Sequence, residues 1–101
     1  MDIVLPKGLE VFIFGSFLYK LNPNDLDMLV IYDLEFISSS EVSIKCKECI
    51  FLLSKYFTLK VDVIFLTIDE NKGSGFVEKV HAITPRRCAK FKEINFITPN
   101  F

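Results

Sequence analysis

There is no tryptophan in this sequence, a single histidine, and only three cysteines among 101 residues. So few thiols, odd in number, cannot build a paired disulfide framework, and reduced thiols in a cytoplasmic setting are the expectation. A charge excess is missing too: 12 Lys and Arg against 13 Asp and Glu leave a net charge of -1, which excludes a whole-surface positive field for gripping nucleic acid. The apolar stretches near the N-terminus are interrupted by Asp2, Pro6, Lys7 and Glu10, so neither a signal peptide nor the roughly 18 apolar residues of a membrane span is expected. Low-complexity runs, linkers and internal repeats are lacking as well. What is there is 50% apolar and 25% charged, with 11 Phe and 3 Tyr. That balance fills one core, and the length leaves nothing for a second, so a single domain over residues 1–101 is expected.

Leu9 to Phe14 is apolar and β-branched or aromatic except for Glu10, and Gly15-Ser16 stops it, which reads as a buried strand entering a turn. Phe17 to Leu21 has room for a turn or two of helix before the turn formers Asn22-Pro23-Asn24. Asp25 to Tyr32 reads as a second strand. From Glu41 to Phe57, residues Val42, Cys46, Cys49, Ile50, Leu53, Tyr56 and Phe57 recur at steps of three and four, predicting one helix of about four turns. Ser38, Ser39 and Ser40 offer it N-caps. Val61 to Thr67 reads as a third strand, Lys72-Gly73-Ser74-Gly75 as a loop and Phe76 to His81 as a short helix, with room for one more strand before Phe101. The order predicts a small α/β (α+β) domain, a mixed sheet packed with helices.

Asp25 and Asp27 interrupt an otherwise apolar strand two residues apart. Side chains alternate along a strand, so both carboxylates leave the same face, about 7 Å apart along the chain. Like charges beside a hydrophobic strand repel and lose hydration unless cations compensate them, and hard oxygen ligands suit magnesium or manganese. Asp62 is a third carboxylate on another strand; if that strand neighbours the first pair, the three can hold two metals around one phosphate. The plainer alternative makes Asp25 an Asx-type turn residue and leaves Asp27 and Asp62 at solvent-facing strand ends. Gly15-Ser16 weighs against it, because a glycine after a buried strand lets backbone approach a phosphate and a serine at a helix start adds a hydroxyl beside free amides.

Phe14-Gly15-Ser16, Asp25-Leu26-Asp27 within Asn24 to Tyr32, and Asp62 within Val61-Asp62-Val63-Ile64 together resemble the pattern of the DNA polymerase β-type nucleotidyltransferase superfamily, and Phe76 to Ile83 is similar to the tail of its short stand-alone bacterial members. The resemblance implies that Asp25, Asp27 and Asp62 bind two magnesium ions, that Gly15 and Ser16 hold the triphosphate, and that Lys20 or Lys72 supplies the basic residue which relatives carry just after Gly-Ser. It further implies transfer of a nucleotide, AMP from ATP or another NTP, to a hydroxyl, with loss of pyrophosphate. Short members are often antitoxins of HEPN-domain ribonuclease toxins, which makes a tyrosine of such a toxin the implied acceptor; a homo-oligomer is the other expected partnership. The rival expectation is a non-catalytic nucleotide-binding or partner-docking protein that keeps the fold.

Other motifs carry less. Cys46-Lys47-Glu48-Cys49 lacks a second ligand pair and lies on the apolar stripe of the predicted helix, so both thiols are expected in the core. Gly73-Ser74-Gly75 lacks the Walker spacing. His81 lies outside the carboxylate cluster in sequence and is assigned a structural or surface role. Arg86, Arg87, Lys90 and Lys92, interleaved with Phe91, form a basic segment that reads as a solvated face or a local site for RNA or an acidic partner. Phe76, Phe91, Phe96 and Phe101 divide between core and a docking patch.

Overall fold

Strand-forming residues dominate three segments, and in the computed structural model, which describes residues 1–98, all three enter one sheet. β1 (Asp2–Val4) precedes β2 (Leu9–Phe14), which runs antiparallel to β3 (Asp25–Tyr32); β4 (Lys60–Thr67) lies parallel to β3 on its other side. The strand order is therefore β2-β3-β4. A parallel neighbour requires a crossover, and α1 (Ser39–Lys45) with α2 (Lys47–Phe57) supplies it. α3 (Ile68–Ser74) and α4 (Phe76–Lys79) follow, and β5 (Asn95–Ile97) pairs in parallel with β1 as a second, two-stranded sheet. The result is a small mixed α+β domain, as the pattern predicts. No helix among the described residues is long and apolar enough to cross a membrane.

The central strand explains its own composition. Leu26, Met28, Val30 and Tyr32 join Val42, Cys46, Cys49 and Leu53 in the core. Leu29 and Ile31, on the opposite face by strand alternation, are also buried, because α3 contacts β3 there and Phe76 meets Phe14 edge to face at 5.6 Å. Burial on both faces selects an unbroken apolar run rather than alternation.

Four local expectations need correction. The single helix over Glu41 to Phe57 is two helices meeting at Cys46, whose φ and ψ are −92° and −3°. No glycine or proline marks the joint; the bend keeps Val42, Cys46, Cys49 and Leu53 all buried against a twisted sheet. Ser38 occupies the N-cap position, yet its hydroxyl donates to Glu41 Oε1 at 2.7 Å instead of accepting from the backbone. The Lys72–Gly75 loop is largely helix: a capping box, with Thr67 Oγ1 accepting from Glu70 N (3.0 Å) and Glu70 Oε1 from Thr67 N (2.9 Å), starts α3 at Ile68. Only Gly75, at φ +64°, leaves the helix, as a left-handed cap. Finally, the turn after β2 is a 3-10 turn at Gly15–Leu18, earlier and tighter than the helix expected over Phe17 to Leu21.

Cys46 and Cys49 are buried free thiols, in line with core packing, and burial raises both thiol pKa values, Cys49 to about 12. Phe91 is buried, Phe76 and Phe96 half-buried; Phe101 lies outside the described residues.

Candidate functional site

β3 delivers Asp25 and Asp27 to the face occupied farther along by Leu29 and Ile31. The parallel register then pairs Asp27 with Asp62 and Asp25 with Lys60. In a parallel sheet, register partners on neighbouring strands lie about 4.8 Å apart and point to the same side. The two carboxylates most distant in sequence thus become neighbours. Asp27 is held above the usual carboxylate range first by burial, then by the charges of Asp62 and of Asp25. Asp62, on the edge strand, is met by the Lys60 ammonium at 3.3 Å, both side chains well exposed.

Antiparallel pairing places Phe14 opposite Asp27, so Gly15 emerges beside that carboxylate. Its φ is +80°, and a Cβ built on it would collide with Asp27 Oδ2 and lie 3.3 Å from Asp27 Cγ. The glycine is required twice over, for its left-handed backbone and for the close approach of main chain to carboxylate. Ser16 follows in the 3-10 turn, its carbonyl accepting from Tyr19 N (3.0 Å) and Lys20 N (2.9 Å).

Gly15, Ser16, Asp25, Asp27 and Asp62 are accordingly brought to one end of the sheet, with Lys20 exposed just beyond the turn. Lys72 is not. It sits on α3 beside a cleft lined by Glu10, Phe12 and Ile31, four residues farther along β3 than Asp27. That cleft and the one between Leu5, Val11, Pro85 and Phe96 are lined by none of the three acids, each of which is half-buried. Among the described residues no three His, Cys, Asp or Glu side chains form a group arranged to hold a metal ion. His81 is exposed, in a left-handed conformation at φ +54°.

Lys60 was missed by sequence reasoning; its signal was a lone cation at the start of the strand that carries Asp62. The Asp27 shift yields a pH test. The folded chain binds the Asp27 proton at a pH where the unfolded chain has released it, so stability falls as pH rises from the ordinary value of 3.8 through the folded pKa. In metal-free buffer, Asp27→Asn is expected to have a higher urea midpoint than the wild type at pH 7, with the gap closing as pH falls towards 3.8. A variant less stable at pH 7, with no pH dependence of the gap, would refute the charge conflict.

Comparison with family models, with curated proteins and with solved structures finds no match.

Proposed function

We propose that this chain is a metal-dependent nucleotidyltransferase, moving AMP from ATP to a hydroxyl of a macromolecular acceptor. The observation that carries this reading is the register Asp27 to Asp62 with the Gly15 backbone laid against Asp27. Two carboxylates placed as register partners, Asp27 and Asp62, with Asp25 two residues along the same face, gain nothing for the fold unless a cation meets them. The three carboxylates are hard-oxygen donors of the kind magnesium and manganese take; the structure does not group them around one point, and an ion held by them would offset the Asp62 and Asp25 charges that add to burial in raising the Asp27 pKa. Asp25, Asp27 and Asp62 would hold the metal. When bound, it supplies charge neutralisation on the phosphates and a more acidic acceptor hydroxyl.

The chain's own part is positional. Gly15 lets main chain approach the phosphates without a side chain in the way, and Ser16 offers a hydroxyl at the same edge. In the transfer, the acceptor oxygen bonds to the α-phosphorus, the bond from that phosphorus to its bridging oxygen breaks, pyrophosphate leaves, and the acceptor proton passes to water. The resemblance of the motifs to short stand-alone nucleotidyltransferases makes a tyrosine hydroxyl of a HEPN-type toxin the proposed acceptor.

A second reading, nucleotide binding or partner docking without catalysis, draws on the Lys60–Asp62 ion pair, which already neutralises the third acid. Calorimetric titration of magnesium-ATP separates the outcomes. Binding by the wild type that weakens at least about 100-fold in a folded Asp25→Ala, Asp27→Ala double variant is expected, since even outer-shell changes at metal sites cost about 10–100-fold. Equal binding by both proteins would overturn the site. Transfer of label from α-labelled ATP to a purified HEPN toxin, lost in Asp62→Asn, would distinguish catalysis from docking.

A further inference from the structure

The basic segment near the C-terminus has no part in the site as described, yet one of its members reaches back to it. Lys90 lies in the 3-10 turn Ala89–Phe91. Its Nζ donates to the carbonyl of Phe17 at 2.5 Å and to that of Lys20 at 2.7 Å, and stands 4.5 Å over the Phe17 ring. The Phe17 carbonyl lies in the turn that Gly15 begins, and the Lys20 carbonyl two residues past its end. The last carbonyls of a helical turn have no partner within it, and a cation there gains from both the hydrogen bonds and the dipole of the turn. Ser16 O is already taken by the Tyr19 and Lys20 amides; Phe17 O and Lys20 O are supplied from 73 and 70 residues away.

Phe17 fixes the same turn from below. It is 1% exposed and meets Phe57 at 5.1 Å and Phe91 at 5.8 Å, both edge to face. The aromatic contact sets the depth of the turn, and the ammonium ties its far end. Both contacts bear on the turn whose near end, Gly15, lies beside Asp27.

We propose that Lys90 is a positioning residue for the Gly15–Leu18 turn, a clamp holding the Phe17 carbonyl within that turn and the Lys20 carbonyl just past it so that Gly15 stays against the Asp27 carboxylate. Its functional consequence rests on the nucleotide reading given above; the clamp itself does not. The contacts of Lys90 are to the Phe17 and Lys20 carbonyls and the Phe17 ring. It acts through main chain, which is why the charge is needed and its identity as lysine is not.

Two variants and two readouts test this. Lys90→Met keeps the aliphatic stem and removes the ammonium, whereas Lys90→Arg keeps the charge. Amide hydrogen exchange at Tyr19 and Lys20 is expected to quicken about tenfold or more in Lys90→Met, the order for losing a hydrogen bond to a charged group, while Leu29 and Val30 in β3 are unchanged. Magnesium-ATP affinity is expected to fall about tenfold in the same variant, and Lys90→Arg to restore both. Uniform acceleration that includes Leu29 and Val30 would reduce Lys90 to a general stabiliser and overturn the proposal. So would unchanged exchange at Tyr19 and Lys20, or selective loosening with full ATP affinity. If the wild type binds no magnesium-ATP, the nucleotide reading fails, and the exchange measurement alone decides whether the clamp exists.

Discussion

Truncation of Phe91 to alanine is expected to lower the stability of the fold by about 3–5 kcal/mol, the usual range for deleting a buried phenyl ring. Phe91 is 2% exposed and meets three other rings: Phe57 at 5.1 Å, Phe17 at 5.8 Å and Phe96 at 6.0 Å. Each such contact adds to burial, and a cavity left at their junction would be walled by three separate elements, the Gly15–Leu18 turn, α2 and β5. For a domain whose whole stability is of the order of 5–15 kcal/mol, the loss is a large fraction. Urea denaturation followed by circular dichroism measures it directly, the midpoint shifting at unchanged slope. A loss under about 1 kcal/mol would mean that the C-terminal segment does not dock on the turn and α2, and the Lys90 clamp would fall with it.

Gly15→Ala is expected to abolish nucleotide binding while leaving the chain folded. A left-handed conformation costs an alanine about 1–2 kcal/mol, which this domain can bear. The collision is the larger matter, because the new methyl occupies the space of Asp27 Oδ2. Either the turn retreats or Asp27 swings aside, and both separate the Gly15 backbone from the carboxylate. A fall in magnesium-ATP affinity of about 100-fold or more follows if the two act together, since misplacement by about 1 Å is enough for that. Full affinity in a folded Gly15→Ala protein would show that the turn is no part of the site.

The parts of this fold written in short-range pattern are the parts legible from sequence. β3 spans Asp25 to Tyr32 because its apolar run is bounded by Asn22-Pro23-Asn24 and by Asp33, and the core placement of Cys46 and Cys49 follows from their helical spacing. Pairings between distant segments are not legible in that way. β1 and β5 have three residues each, too few for a periodic signal, and each exists only because the other is there. The neighbourhood of Asp27 and Asp62 likewise depended on which strand lies beside which, a choice made by the crossover and not by either strand. α3 carries a signal of its own, the capping-box spacing of Thr67-Ile68-Asp69-Glu70, which the loop-favouring glycines Gly73 and Gly75 mask. The reach of Lys90 had no sequence signal, since a long flexible side chain finds carbonyls that only the tertiary fold brings near.

The parallel pairing of Asp2–Val4 with Asn95–Ile97, to which the Met1 ammonium adds a bond to Glu93 O at 2.7 Å, bears on how the protein is made. Contacts between segments so far apart in the chain form late, after the entropy of closing the intervening loop has been met. During synthesis from the N-terminus, β2, β3 and β4 emerge and can pair while Lys90, Phe91 and Phe96 are still inside the ribosome. Over that interval β1 has no strand to lie against, Phe17 lacks one of its ring partners, and the Gly15–Leu18 turn lacks its ammonium. Completion of the Gly15–Leu18 turn therefore waits on emergence of the C-terminal segment.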